Sequence, residues 1–385
     1  MPLVVSPAIV VAAHDRPAEL QRLLESVLAA DIGADTPLVI SIDGGGTHHA
    51  RVRALADRFR WPYGPYAVVD HEHLGLVEHF HRCGDLTQEY EAIVLLEDDL
   101  VVGPGFHRWA SAALAFAARD QRIAGVSLAT PFFDGYRHLP FEPVIDGSDG
   151  IYAQVPWYDG MAWTDSMWGN YRAATIRATT PLHRALDTLD GDEWFPNAMR
   201  YLVQTDRYYL LPRHAHATNS GAPGAHFDAA TNYFQVPLTL RAPADWRLMS
   251  VDESLAIYDD HLELDPGALK KLVPDLNDYD LTVDLLGTRD LTTCAADYVL
   301  TTRSAANPVR LWGASMHPLV ANLTHNVIGD AIRLAQRKDV IDSAGSESQA
   351  MATLTKHADR GRLPSGRQAA RQLRGALKKR WRREP

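Results

Sequence analysis

The strongest constraint on this chain is the run Ala92-Ile93-Val94-Leu95-Leu96-Glu97-Asp98-Asp99-Leu100-Val101-Val102. An unbroken apolar stretch of this kind reads as a strand buried on both faces. It drives three consecutive carboxylates out at its C-terminal end. Gly103, Pro104 and Gly105 then interrupt the backbone, and Phe106 to Ala118 restarts it as an expected helix. In open α/β sheets ligands bind beyond the carboxyl ends of the strands, which is where these acids fall. Three adjacent anions repel one another unless a cation neutralises them, and a divalent metal with oxygen ligands does so. A solvated acidic turn accounts for the same residues without any chemistry.

The preceding residues set the architecture. Ala8 to Ala13 reads as a first strand, followed by His14-Asp15-Arg16-Pro17 and then by Leu20, Leu23, Leu24, Val27 and Leu28 at helical spacing. Pro37 to Ile42 is a second strand that runs into Asp43-Gly44-Gly45-Gly46. Val52 to Phe59 is a second helix, Ala67 to Asp70 a third strand, and Leu74 to Cys83 a third helix. Strand and helix in alternation predict a doubly wound, mainly parallel α/β sheet with right-handed crossovers. Each early strand then ends in a polar loop on one shared crevice: His14-Asp15-Arg16, Asp43 with its glycines, His71-Glu72-His73, and Glu97-Asp98-Asp99. There is no GxGxxG and no P-loop lysine, so neither a dinucleotide fold nor an ATPase has its fingerprint.

Charge divides the chain. The net charge of -10 combines a basic end with an acidic body. From Lys356 onward eleven Lys/Arg stand against Asp359 and Glu384, giving +9, so the residues before carry -19. That argues against nucleic acid as partner of the main domain and for an anionic surface as a candidate partner of the tail. Cys83 and Cys294 are the only cysteines and lie far apart, which argues against a disulfide framework or thiolate zinc site and fits a reducing, cytoplasmic setting. No stretch approaches the roughly 20 apolar residues that span a bilayer.

Three segments, in order, resemble GT-A-fold, nucleotide-sugar-dependent glycosyltransferases of the N-acetylglucosaminyltransferase I type and their bacterial relatives in polysaccharide assembly. They are Val10-Val11-Ala12-Ala13-His14-Asp15-Arg16, Val39-Ile40-Ser41-Ile42-Asp43-Gly44-Gly45, and Val94 to Val102 with Pro104 and Phe106 after it. The likeness covers roughly residues 8 to 260, and Glu97-Asp98-Asp99 is similar to the family's variant of the DxD motif. It implies Mn²⁺ (or Mg²⁺) bound by Asp99, with Asp98 towards the ribose and Glu97 towards the sugar or a metal-bound water. It also implies a UDP-sugar donor, with Asp43 reading the uracil and Arg16 facing the nucleotide. Ala13, His14, Asp15 and His71 complete the donor side. As non-functional alternatives, Asp43 is a turn former and Arg16 a surface ion-pair partner.

The acceptor side is expected after Ala118. Ile123 to Ala129 reads as a strand, and a polar-aromatic stretch follows whose Trp157, Trp163 and Trp168 suit either sugar faces or a packed core. Ser166-Met167-Trp168-Gly169 resembles a Ser-Trp-Gly element of the bacterial relatives but is one residue longer. Asp190-Gly191-Asp192-Glu193-Trp194 is similar to an acid-acid-Trp element holding the family's general base, which maps to Asp192 or Glu193. Helix capping is the plain alternative. The segment from His214 to Phe227 resembles a mobile Asn-x-Gly…Gly-x-His lid, in which Asn219 and His226 would meet donor or acceptor. Residues 1–255 are thus expected to form a GT-A catalytic domain, with its donor half about 1–130 and acceptor half about 131–255. A mixed, partly helical appendage should follow over 256–340, then a linker and basic tail over 341–385. Within that tail Leu373, Leu377 and Trp381 recur every four residues among Lys/Arg, so 368–383 fits an amphipathic helix on an anionic membrane, or equally a solvated tail.

The expected function is an inverting transfer of a sugar to a saccharide or lipid-linked acceptor, in cell-surface polysaccharide or glycan synthesis at the inner membrane face. A sugar-nucleotide nucleotidyltransferase shares the acidic strand ends, but it needs a Gly-rich basic loop that Ala13-His14-Asp15-Arg16 does not supply. A non-catalytic carbohydrate-binding protein is the rival from another class.

Overall fold

The apolar runs of the first hundred residues become the parallel half of one sheet. The computed structural model describes residues 5–132, 141–182, 193–223, 230, 232 and 235–341. Strands β1 (Ala8–Ala13), β2 (Leu38–Ile42), β3 (Tyr66–Asp70) and β4 (Ala92–Glu97) lie parallel in the order β4-β1-β2-β3. They are joined by α1 (Pro17–Leu28), α2 (His49–Arg58), α3 (Leu76–Asp85) and the single turn α4 (Thr87–Tyr90). Pro17 opens α1, and its buried stripe is Leu20, Leu23, Leu24 and Val27, the period expected of a helix lying on a sheet. β2 is buried throughout because the sheet is covered on both faces, whereas β3 at the edge is half exposed. The register sets Ala13 opposite Ile42 and Ala12 opposite Glu97, so the ends of β1, β2 and β4 are level.

The acidic run is not one strand. β4 stops at Glu97, the chain turns at Asp98-Asp99, and Leu100–Val102 leaves as β5. Keeping three carboxylates in a central ladder would bury charge without partners, and that costs far more than the strand hydrogen bonds given up.

The second half follows as α5 (Phe106–Ala117), β6 (Ile123–Ser127), β7 (Gly150–Ala153), β8 (Met161–Thr164), α6 (Asp165–Ala173), α7 (Trp194–Thr205), β9 (Tyr208–Pro212), β10 (Ala217–Asn219) and β11 (Ile257–Tyr258). These complete a nine-stranded sheet in the order β11-β7-β9-β6-β8-β4-β1-β2-β3, while β10 pairs with β5 in a separate antiparallel ribbon. β8 runs antiparallel to both β4 and β6 and is the seam between the halves. The sheet does not stop at residue 255, since β11 adds its outer edge beside β7. Beyond it, α8 (Pro266–Leu272) leads to β12 (Leu281–Asp284), β13 (Tyr298–Thr301), β14 (Pro308–Trp312), α9 (Ala321–Thr324) and β15 (Ile332–Gln336). Those four strands form a second sheet in the order β12-β13-β15-β14, more β than the mixed, partly helical pattern expected there. Among the described residues, no helix is long and apolar enough to cross a membrane.

Aromatic side chains close the seam. Phe80 of α3 stacks on Trp194 at 4.4 Å between centroids and meets Trp163 and Trp168 edge-on. The indole N–H of Trp163 donates to Tyr209 Oη at 2.6 Å, and that of Trp168 donates to Asp85 Oδ1 at 2.7 Å, so neither ring buries an unmet donor. Trp168 lies so close to α3 that a Cβ on Gly84 would come within 2.1 Å of its Cζ2. Alanine gains about 0.5–1 kcal/mol over glycine in a helix, but overpacking a core costs about 1–3 kcal/mol. Gly84→Ala should therefore destabilise the protein despite its better helix propensity. Urea unfolding followed by tryptophan fluorescence checks this; a variant as stable as the parent would mean the seam is loosely packed.

Candidate active site

The four parallel strands end on one edge of the sheet, and the residues that follow them converge there. Ala12, Ala13, His14, Arg16, Leu76, His79, Phe80, Leu95, Glu97 and Asp98 line a cleft of about 90 Å³. Its charged wall is built around Arg16, the residue just before α1. The guanidinium bonds Asp98 through Nη2 at 2.5 Å and Asp99 through Nη1 at 2.8 Å, so one cation clasps two neighbouring acids. The His14 backbone N–H donates to Asp98 Oδ2 at 3.2 Å, tying the end of β1 to the end of β4.

Burial governs the acids. Burial, with repulsion from Asp99 and Asp98, holds Glu97 up at about 8. Asp98 is pushed up to about 6 because its burial outweighs the pull of Arg16. Asp99 is the more exposed of the clasped pair, with 13% of its side chain accessible against 3% for Asp98. It also receives a contact from β10: Asn219 Nδ2 lies 3.4 Å from Asp99 Oδ2, and the Ser220 N–H donates to the Asp99 carbonyl at 2.7 Å. Asn219 thus joins the acid triplet through the β5–β10 ribbon.

Asp43 is buried at the end of β2. Its Oδ1 accepts the Leu74 N–H at 2.6 Å and its Oδ2 accepts the Gly75 N–H at 3.1 Å, which anchors the start of α3. His14 and His73 flank it, with Nδ1 to Asp43 Oδ2 distances of 3.9 and 3.3 Å. These three carry metal-ligating atoms mutually within 4.8 Å. His14 Nδ1 contacts the Asp43 carbonyl and His73 Nδ1 the Gly44 carbonyl, each at 3.0 Å. An Nδ1–H held by a carbonyl leaves the Nε2 lone pair for a metal, so the three residues are a candidate metal-ligating group. His71 turns the other way, meeting Ser41 Oγ through Nε2 at 3.0 Å and packing against His79, which burial lowers to about 4. Asp15 is committed to the glycine loop, accepting the His48 N–H beside its imidazole.

The tryptophans divide unequally. Trp163 and Trp168 lie inside the seam, their rings covered by Phe80, Tyr171 and each other. Trp157, also buried, stacks on Tyr158 at 4.7 Å and points its indole Nε1 at Asp159 Oδ2, 3.3 Å away. Glu193 is the N-terminal cap position of α7, and its neighbour Trp194 stacks on the cleft residue Phe80. Its carboxylate makes no capping hydrogen bond, although an acid at that position still meets the positive end of the helix dipole. Asp192, His226 and the tail segment 368–383 lie outside the described residues.

One acid escaped the sequence reading. Asp159 is fully buried, and burial, with repulsion from Asp99 opposing the Trp157 bond, raises it to about 8. The available signal was a carboxylate between aromatic residues at the start of a short apolar run, which by itself reads as a turn. A larger cavity of about 580 Å³ lies elsewhere, between His214, His216 and the 237–246 segment, and none of the expected site residues lines it. His216 is pressed there between Trp109 and Trp246.

No protein-family model matches the chain, and no curated protein matches it. Many solved structures do. One is the crystal structure of GalNAc-T7 with UDP, GalNAc and Mn²⁺, at 14% identity and a TM-score of 0.40. That match covers 56% of this chain and 44% of the neighbour, so the chain spans less than half of that protein's length.

Proposed function

We propose that the protein is a metal-dependent, inverting glycosyltransferase that moves a sugar from a nucleotide-sugar donor, UDP-linked, to a saccharide or lipid-linked saccharide. The observation that supports this reading is the acid triplet at the end of β4, clasped by Arg16 from the end of β1 and opening on the cleft. A donor of this class leaves as a diphosphate, so its site must gather positive charge around departing oxygens and hydrogen-bond acceptors around a base and a ribose. Asp43 and His14 are suited to the base, Asp98 to the ribose, Glu97 to the sugar, and Arg16 to the diphosphate.

The donor set also fits a hard divalent cation. Glu97, Asp98 and Asp99 offer only carboxylate oxygens, and when ionised they carry three negative charges against one guanidinium. Asp99 would hold Mn²⁺ or Mg²⁺, which would supply Lewis-acid neutralisation of the leaving diphosphate. The rest falls to the protein. Arg16 is already oriented at the acids, and the surrounding apolar residues Leu76, Phe80 and Leu95 limit water around the reacting centre. A carboxylate of the Asp192-Glu193 pair takes the proton from the acceptor hydroxyl. The new bond forms from that oxygen to the anomeric carbon as the bond to the diphosphate breaks, which inverts the centre.

Asp99→Ala should abolish Mn²⁺-dependent hydrolysis of UDP-sugars and the Mn²⁺-dependent thermal shift they produce. A variant with unchanged turnover would remove Asp99 from the metal. Replacing the general base by its amide should lower kcat by about 10²–10⁴-fold with little change in donor affinity. Assays of Asp192→Asn and Glu193→Gln with donor and acceptor test this; equal losses in kcat and donor binding for both would move the base elsewhere. The basic stretch 368–383 supports docking on an anionic membrane carrying a lipid-linked acceptor. Deleting 366–385 should release the protein from phosphatidylglycerol vesicles while leaving donor hydrolysis intact, and unchanged vesicle binding would discard the tail's role.

A further inference from the structure

The glycine triplet after β2 has no part in the transfer chemistry, yet it is packed against a histidine. A Cβ on Gly45, where φ is +80°, would come within 3.0 Å of the His73 ring, and one on Gly44 within 2.5 Å of the His71 carbonyl. The backbone therefore lies closer to the loop after β3 than a side chain would allow. Level registers do the rest. Ala13 pairs with Ile42 and Ile42 with Asp70, so the chain leaves β1, β2 and β3 at one height. His14, Asp43 and His73 meet there, with one ring nitrogen from each histidine and a carboxylate oxygen of Asp43 mutually within 4.8 Å.

These groups are the ligand set of a borderline transition metal. Two imidazoles with one carboxylate suit Zn²⁺ or a similar ion, whereas the acid triplet offers oxygen alone and suits Mg²⁺ or Mn²⁺. Each ring is already aimed by a backbone carbonyl 3.0 Å from its Nδ1, the outer contact that ordinarily orients a metal-ligating imidazole. The Asp43 carboxylate is fixed by the Leu74 and Gly75 N–H groups, and its Oδ2 stands 3.3 Å from His73 Nδ1 and 3.9 Å from His14 Nδ1. A carboxylate oxygen that accepts one hydrogen bond keeps a further lone pair for an ion. The group is also open: the His14 and His73 side chains are 45% and 62% accessible, so an ion can enter and keep a water in its fourth position.

We infer that His14, Asp43 and His73 form a divalent-metal site apart from the acid triplet, taking a borderline ion such as Zn²⁺ with one nitrogen from each imidazole and an oxygen from Asp43. An ion held there occupies the two residues suited to the donor's base, so ion and nucleotide exclude one another. That exclusion rests on the nucleotide-sugar reading of the cleft; the metal site itself does not.

The test is calorimetric titration of the untagged full-length protein with Zn²⁺, with and without uridine, which carries the base but no phosphate to bind the ion. The parent is compared with His14→Gln, His73→Gln and Asp99→Asn, and the Tm of each protein is taken in EDTA. Each histidine variant should bind Zn²⁺ about tenfold or more weakly than the parent. Both should melt in EDTA with the parent, because their rings are largely exposed. Asp99→Asn should keep the parent's Zn²⁺ affinity. A parent that binds no Zn²⁺, or histidine variants that bind it as the parent does, would overturn the site and leave standing the transferase reading, which is built on the acid triplet. An equal loss in Asp99→Asn would move the ion to the triplet and overturn it too. A histidine variant that melts lower in EDTA would make that ring a packing contact, with the same result. Uridine should weaken Zn²⁺ binding; unchanged binding would overturn the exclusion alone.

Discussion

Repulsion among carboxylates at the end of β4 is the constraint around which the site is arranged. The apolar run before them must be buried to hold the sheet together, and the acids it carries cannot be buried with it unless their charge is met. The chain resolves the conflict in two ways. It breaks the strand after Glu97 and turns, and it brings Arg16 from the neighbouring strand onto Asp98 and Asp99. The clasp is incomplete. Asp98 stays elevated despite the ion pair, and Glu97 is higher still.

The rest of the fold keeps that edge rigid. Level registers among β1, β2 and β4 bring three loops to one line, and Asp43 uses its carboxylate to start α3 beside them. On the other side, Phe80, Trp163, Trp168 and Trp194 lock α3, β8, α6 and α7 into one aromatic block. The cleft thus stands on a sheet braced from both ends, the condition for holding a ligand in one geometry. The β5–β10 ribbon extends the same logic, bringing Asn219 to Asp99 across more than a hundred residues of chain.

Much of the cleft at the strand ends was legible because local pattern and chemistry coincide there. Apolar runs separated by helical leucine stripes required parallel strands, and parallel strands with short crossovers end together. His14, Arg16, Asp43, Glu97 and Asp98 therefore had to be neighbours in space once the sheet was accepted. Asp15 illustrates the limit, since it follows β1 beside His14 and Arg16 yet its carboxylate turns to the glycine loop. Trp163 and Trp168 illustrate another, because aromatic residues beside acids have the same pattern whether they face sugar or core.

By itself, the sequence determined the parallel half of the sheet, the order of its loops and the accumulation of acids at one edge. These follow from periodicity and from the rule that strands buried on both faces carry their polar residues at their ends. Only the tertiary structure decided that Arg16 clasps Asp98 and Asp99, that β8 inserts antiparallel beside β4, and that Asp159 is buried against Trp157. Those depend on contacts between residues tens of positions apart, set by packing and register. No local propensity carries that information, because a carboxylate in a short turn has the same pattern whether it meets water or a buried anion.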